Sequence, residues 1–149
     1  MKYRHYGIYT IVGMLILTSF QSTQAQEDAD PQKIADRCIQ SINAMSERCV
    51  KANGKTAKAC LRRINRLLED DQRAEAERLA RRCVRRIHQQ SSVCVDAIQQ
   101  RCRRCIGTLT QLEAEELARR VREACLWATA RVRHSERRAV SAIRELFRA

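Results

Sequence analysis

Aromatic residues, glycine and proline are scarce in this chain of 149 residues. It has six aromatic residues, four glycines and one proline, and several of these lie near the N terminus. After residue 25 the only aromatic residues are Trp127 and Phe147, and the only glycines are Gly54 and Gly107. Two glycines cannot supply a glycine-rich phosphate loop, a dinucleotide fingerprint or a nucleophile elbow. A β-sandwich or barrel with many tight turns is disfavoured for the same reason.

The N-terminal segment 1–25 has the pattern of a secretory signal peptide. Lys2 and Arg4 form a basic start, and the apolar run at 8–20 is shorter than a bilayer-spanning helix needs. The tripeptide TQA, which ends at Ala25, has small residues where a signal peptidase requires them. We therefore expect 1–25 to be removed, with an uncleaved membrane anchor as the alternative. No second apolar run follows, so residues 26–149 are expected to form one secreted or periplasmic domain without a transmembrane segment.

All eight cysteines follow residue 25, and six of them form two evenly spaced sets. The first set is Cys38, Cys49 and Cys60, and the second is Cys83, Cys94 and Cys105. The interval between neighbouring cysteines is the same throughout both sets, and the sets are offset by 45 residues. This offset predicts a duplicated unit over 31–75 and 76–120, with an eroded third copy over 121–149.

Apolar residues and cysteines recur at alternating spacings of three and four, which is typical of one face of an α-helix. The sequence therefore predicts an all-α fold of four to six helices, arranged as an antiparallel bundle or as stacked hairpins. One helix over the glycine-free residues 55–106 would be about 78 Å long, too long for a compact domain of this size. The expected boundaries are a start at Asp30-Pro31, a stop at Asn53-Gly54, a break at Asp70-Asp71 or Ser91-Ser92, a capping box from Thr110 to Glu113, and a break near His134-Ser135.

An even number of cysteines in an exported chain predicts disulfides, which would support a core with few large side chains. If a helix ends at Asn53-Gly54, the cysteines on either side of that turn should lie side by side. The repeat extends this expectation to the second set, and two cysteines without counterparts are expected to pair with each other. The expected pairs are Cys49–Cys60, Cys94–Cys105, Cys102–Cys125 and Cys38–Cys83, with Cys60–Cys83 as a rival.

The sequence contains no clear catalytic or metal-binding constellation. Cys102 and Cys105 form a CxxC motif, but Ile106 follows where haem attachment requires histidine. A zinc site would need further reduced cysteines as ligands. His88 and His134 are the only histidines after residue 25, and no HExxH motif occurs. We expect no enzymatic activity, cofactor or metal, and we expect the two late aromatic residues to pack in the core or between hairpins.

Positive charge is concentrated in one segment. The chain has 29 basic and 17 acidic residues, and residues 78–105 contain eight arginines but one acidic residue, Asp96. The arginine side chain binds carboxylates and phosphates through two parallel hydrogen bonds, so this segment suits an anionic partner. Helical spacing places its first arginines and His88 opposite Cys83, as an exposed basic stripe. The candidate anion-binding residues are Arg78, Arg81, Arg85, Arg101, Arg103 and Arg104.

These features favour an exported, disulfide-stabilised helical repeat protein with a binding or structural role. The expected partner is a polyanion, an anionic lipid or an envelope protein, and no nucleic-acid partner is expected in vivo. Residues 109–113 (LTQLE) are similar to the LTxxQ motif of small periplasmic stress chaperones of the Spy type, with Glu113 in place of glutamine. This resemblance implies an alternative, a chaperone or stress sensor with an exposed apolar groove. A second alternative is a metal-handling protein that uses reduced cysteines.

Overall fold

The computed structural model describes residues 30–148, and the predicted signal peptide lies outside this range. Three long helices form these residues: α1 (Pro31–Glu69, 39 residues), α2 (Arg73–Gln111, 39 residues) and α3 (Glu115–Glu145, 31 residues). No strand occurs between residues 30 and 148. Short turns join the helices, and each helix packs against both others. The all-α prediction is confirmed, as a three-helix bundle in which α2 is antiparallel to α1 and α3.

The start of α1 follows directly from its sequence. The Asp30 carboxylate accepts a hydrogen bond from the backbone N–H of Gln32 at 2.9 Å, and Pro31 occupies the first helical position. Proline is well suited to this position because an N–H group at the first helical position would have no partner inside the helix, and proline has none. The expected start at Asp30-Pro31 is confirmed.

Both turns between helices have the same conformation. Asp71 and Glu113 have positive φ angles of 57° and 55°, in the left-handed region. In the first turn the N–H of Gln72 donates to the carbonyl of Leu67 at 2.8 Å, which is the Schellman pattern. The break expected at Asp70-Asp71 is therefore confirmed. The expected capping box is wrong, because Thr110 lies inside α2 and Glu113 lies in the turn before α3.

The other expected boundaries lie inside helices. Asn53-Gly54, Ser91-Ser92 and His134-Ser135 are all helical, so the described part of the chain has three helices where four to six were expected. The sequence predicts extra breaks because one long helix would exceed the size of a compact domain. This prediction is wrong because the helices pack side by side along their whole length, which is about 58 Å for a helix as long as α1. The polar side chains at these positions also form hydrogen bonds between the helices, since Asn53 donates to Ser91 at 3.0 Å.

Four disulfides cross the bundle, with Cα–Cα distances of 6.1 Å. Three of them form a ladder between α1 and α2, and the fourth joins α2 to α3. The Cys102–Cys125 bond is the one that the sequence predicts, and the rival Cys60–Cys83 pairing replaces the pairing of Cys38 with Cys83. The bonds are Cys38–Cys105, Cys49–Cys94, Cys60–Cys83 and Cys102–Cys125.

Continuity of the helices explains why the other expected pairs are wrong. Cys49 and Cys60 lie on the same helix, three turns or about 16 Å apart, which is beyond disulfide reach. The same holds for Cys94 and Cys105 in α2. Cys38 cannot reach Cys83, because the antiparallel arrangement places them at opposite ends of the ladder.

Equal cysteine spacing follows from the ladder itself. Three bonds between two antiparallel helices need the same spacing on both helices, with or without a duplication. The unit that recurs in the structure is one helix with its turn. Each helix begins the same number of residues after the one before it, since the helices begin at Pro31, Arg73 and Glu115. The 45-residue repeat over 31–75, 76–120 and 121–149 stays a prediction.

A polar layer divides the interior into two apolar cores. Fully buried Ile42, Ile98 and Val121 belong to the first core, and Ile64 and Ile87 belong to the second. The polar layer lies between the cores along all three helices. Its members are Asn53, Ser91, Ser135 and Glu136, whereas buried Ser46 lies within the first core and donates to the carbonyl of Ala128.

The two late aromatic residues differ in their packing. Phe147 is half-buried and packs against the second core, as expected. Trp127 is 73% exposed, so its expected place in the core is wrong. Two nearby residues of α3 explain why Trp127 is exposed. Cys125 is directed toward α2 by its disulfide, and Ala128 is buried on the side of α3 that faces the other helices. Trp127 therefore lies on the outer side of α3.

Candidate anion-binding site

The first four turns of α2 form a strongly basic surface. Cys83 and Ile87 are buried on the inner side of this segment, and the arginine side chains of the segment are directed outward. We call this surface the basic face. It consists of Arg78, Arg81, Arg82, Arg85 and Arg86, all of them exposed.

A groove between α1 and α2 extends the basic face toward α1. Its cationic side chains are Lys55 and Arg63 from α1 and Arg82 and Arg86 from α2, and we call it the basic groove. Its volume is about 490 Å³, and no carboxylate lines it. The Cys60–Cys83 disulfide lies in its wall. A covalent bond therefore fixes the distance between the two helices that supply the cations.

Few acidic groups oppose this charge. Glu77 lies 3.8 Å from Arg73 and 3.9 Å from Arg81, and all three side chains are accessible to solvent. Exposed pairs at such distances contribute little, typically about 0–1 kcal/mol. Glu75 lies beside Arg78 at the edge of the basic face, and it also lines a smaller adjoining pocket with Arg63 and Arg82. Among residues 30–148, no ion pair is formed by the four cations of the basic groove.

The structure brings together only part of the predicted set of anion-binding residues. Arg78, Arg81 and Arg85 lie side by side on the basic face, as expected. Arg101, Arg103 and Arg104 lie on the same helix, but Arg101 follows Arg85 by about 24 Å along the axis, so they form a separate group. Arg103 and Arg104 are exposed, whereas Arg101 is half-buried and its Nε has no hydrogen-bond partner between residues 30 and 148.

His88 does not extend the basic stripe. Its Nδ1 lies 2.5 Å from Oε1 of Glu136 in α3, and Arg133 donates to Oε2 of the same carboxylate at 3.0 Å. Burial raises the pKa of Glu136, but the hydrogen bonds from His88 and Arg133 outweigh burial and hold the pKa below its ordinary value. His88 is therefore part of an interhelical hydrogen-bonded contact with Glu136 at the polar layer.

Sequence reasoning missed most of the basic groove. Lys55 and Arg63 lie outside the arginine-rich segment 78–105, and Arg82 and Arg86 are not among the six candidate residues. The rival Cys60–Cys83 pairing was the available signal, because that bond in antiparallel helices places residues near Cys60 beside residues near Cys83. Charge counting along one helix cannot find a site that two helices share.

The cysteines are not available as metal ligands, because all eight form disulfides. Within residues 30–148 no group of three or more histidine, cysteine or acidic side chains is placed to hold a metal ion. In the same part of the chain, no helix has both the length and the apolar character needed to cross a membrane.

Comparison of the chain with known protein families, curated proteins and solved structures gives no match.

Proposed function

We propose that the protein is an exported helical scaffold that binds an anionic polymer of the cell envelope or extracellular space. One observation supports this proposal above all others: four cations from two helices line a single groove that contains no carboxylate. The groove shares Arg82 and Arg86 with the basic face, and the other three exposed arginines of that face lie beside it. Binding, rather than catalysis, is the function that this arrangement fits.

The geometry of the groove favours a linear polymer. Lys55 and Arg63 are two turns apart on α1, about 12 Å, and Arg82 and Arg86 are one turn apart on α2, about 6 Å. A chain with a negative group on each repeating unit can contact these cations in succession. Each contact releases counterions from the polymer, so the affinity should depend steeply on salt.

The location follows from the predicted signal peptide at 1–25 together with the four disulfides. Disulfides form and persist in oxidising compartments, which include the bacterial periplasm and the extracellular space. Because the Cys60–Cys83 bond lies in the groove wall, the same oxidising conditions would also hold the groove in shape.

Heparin affinity chromatography tests the proposal with a defined sulfated polymer. The variant Arg63→Gln/Arg82→Gln/Arg86→Gln should elute at lower salt than the wild type, with affinity near 0.15 M salt reduced roughly tenfold. The matched control is Arg103→Gln/Arg104→Gln/Arg122→Gln, which removes the same charge from exposed positions elsewhere. Equal elution of both variants would show that only net charge matters, and the proposal would be wrong.

A further inference from the structure

The outer side of α3 presents the two most exposed large apolar side chains of the described residues. Leu126 is 68% exposed and Trp127 is 73% exposed. They are consecutive, so they point to either side of the ridge that α3 forms. Burying a tryptophan and a leucine would each be favourable by about 1.5–3 kcal/mol, which makes their shared exposure costly unless something covers them.

Basic side chains lie beside Trp127. A shallow groove between α1 and α3, of about 420 Å³, is lined by Val50, Trp127 and Ala130 and by four basic side chains. No carboxylate lines it. The basic side chains are Arg131, His134, Arg137 and Arg138, all exposed.

The nearest carboxylate on the same side of α3 is paired with an arginine. Glu123 lies one turn before Trp127, and Arg119 donates to it at 2.6 Å. Arg119 also donates to Glu116, so the positive charge near Trp127 is concentrated toward the C-terminal end of α3. We call Leu126, Trp127, Ala130, Arg131, Arg137 and Arg138 the α3 face.

We propose that the α3 face docks on the surface of a bilayer that contains anionic lipids. Trp127 and Leu126 would enter the interfacial region, where tryptophan is favoured because its ring is apolar and its N–H can donate a hydrogen bond. Arg131, Arg137 and Arg138 would contact lipid phosphates. The protein would bind peripherally, through one side of one helix.

Two features favour a lipid surface over an acidic peptide in the groove. Leu126 points about 100° away from Trp127 around the α3 axis and does not line the groove, so one narrow ligand in the groove would cover Trp127 and leave Leu126 exposed. The apolar floor of the groove is also small, because Val50 and Ala130 are short side chains. A broad anionic surface covers both large side chains and contacts several arginines at once.

The α3 face is separate from the basic groove, which lies between α1 and α2. Lipid docking and polymer binding therefore do not compete for the same side chains. The groove variant Arg63→Gln/Arg82→Gln/Arg86→Gln should keep most of its lipid binding, and the two proposals can fail independently.

Trp127 is the only tryptophan of the chain, so its fluorescence reports on this face alone. Vesicles of phosphatidylcholine with about 30% phosphatidylglycerol should shift its emission to shorter wavelength, and vesicles of pure phosphatidylcholine should have little effect. In vesicle sedimentation, Trp127→Ala should weaken binding roughly tenfold, which corresponds to about 1.4 kcal/mol. Helical circular dichroism should be unchanged, because the side chain is exposed.

Val93→Ser is the matched control, because Val93 is 64% exposed but lies on α2. It should bind the anionic vesicles like the wild type. Arg131→Gln/Arg138→Gln should weaken binding, whereas Arg103→Gln/Arg104→Gln, with the same net charge, should weaken it much less. An unchanged Trp127 emission with anionic vesicles would overturn the proposal, as would equal losses for Trp127→Ala and Val93→Ser. A shift produced by an acidic peptide but not by vesicles would assign the face to a peptide partner instead.

Discussion

Asn53 of α1 and Ser135 of α3 form a hydrogen bond of 2.8 Å at the polar layer, although the sequence predicts a helix end beside each of them. The same Nδ2 of Asn53 donates to Ser91 of α2 at 3.0 Å, so one amide group contacts both other helices. Asn53 is completely buried, and its Oδ1 has no protein partner within residues 30–148. A polar group of this kind can bond in only one register of the three helices, so the layer fixes how they align.

A double-mutant cycle tests the coupling between Asn53 and Ser135. Asn53→Ala should lower the free energy of unfolding by about 1–3 kcal/mol, because it removes one buried and one partly buried hydrogen bond. Combined with Ser135→Ala, the loss should be smaller than the sum, with a coupling energy above about 0.5 kcal/mol in urea denaturation. Ser46→Ala is the control partner, because Ser46 donates to the carbonyl of Ala128 instead. Additivity in both pairs would contradict the network.

Replacement of Gly54 tests the continuity of α1. Gly54 lies inside the helix without a left-handed φ, and a Cβ there would meet no atom within 4 Å. Gly54→Ala should therefore raise the free energy of unfolding by about 0.5–1 kcal/mol, measured by thermal denaturation. Gly107→Ala in α2 should do the same, because its surroundings are also open. Destabilisation by Gly54→Ala would instead place this residue at a helix end.

The lowered pKa of Glu136 predicts a pH-dependent contribution to stability. A group with a lowered pKa in the folded state stabilises the fold above its unfolded pKa, about 4.3 for glutamate, and loses this contribution as the pH falls through the folded-state value. Glu136→Gln should cost about 1–2 kcal/mol at pH 7, and the difference from wild type should vanish in strongly acidic buffer. Urea denaturation at a series of pH values measures this. Glu123→Gln, an exposed carboxylate on the same helix, should change little.

Peptide mapping without reductant tests the disulfide ladder. Mature protein isolated from an oxidising compartment should yield four crosslinked pairs and almost no free thiol under denaturing conditions. The decisive fragment links Cys49 to Cys94 rather than to Cys60. A Cys49–Cys60 fragment would require a turn between these residues, and the continuous α1 described above would then be wrong.

The sequence by itself determined the helical class, the start of α1 at Asp30-Pro31 and the turn at Asp70-Asp71. These features depend on local spacing and on capping, which neighbouring residues specify directly. It also supplied the Cys102–Cys125 pair and the arginine-rich start of α2. Three arginines of the basic face, Arg78, Arg81 and Arg85, were predictable because they lie close together on successive turns of one helix.

Only the tertiary structure decided how the six evenly spaced cysteines pair and which polar residues interrupt a helix. Asn53-Gly54 favours a helix end locally, but burial of Asn53 against Ser91 and Ser135 makes the continuous helix the better solution. Once α1 continues past Gly54, each cysteine must bond across the bundle, and the basic groove forms where α1 and α2 meet. The tertiary structure also determines the exposure of Trp127, because Cys125 and Ala128 face the other helices and leave the Trp127 side chain on the outer side of α3. Contacts between residues distant in sequence overrode local preference in each case, since a buried polar group must find its partner wherever the packing places it.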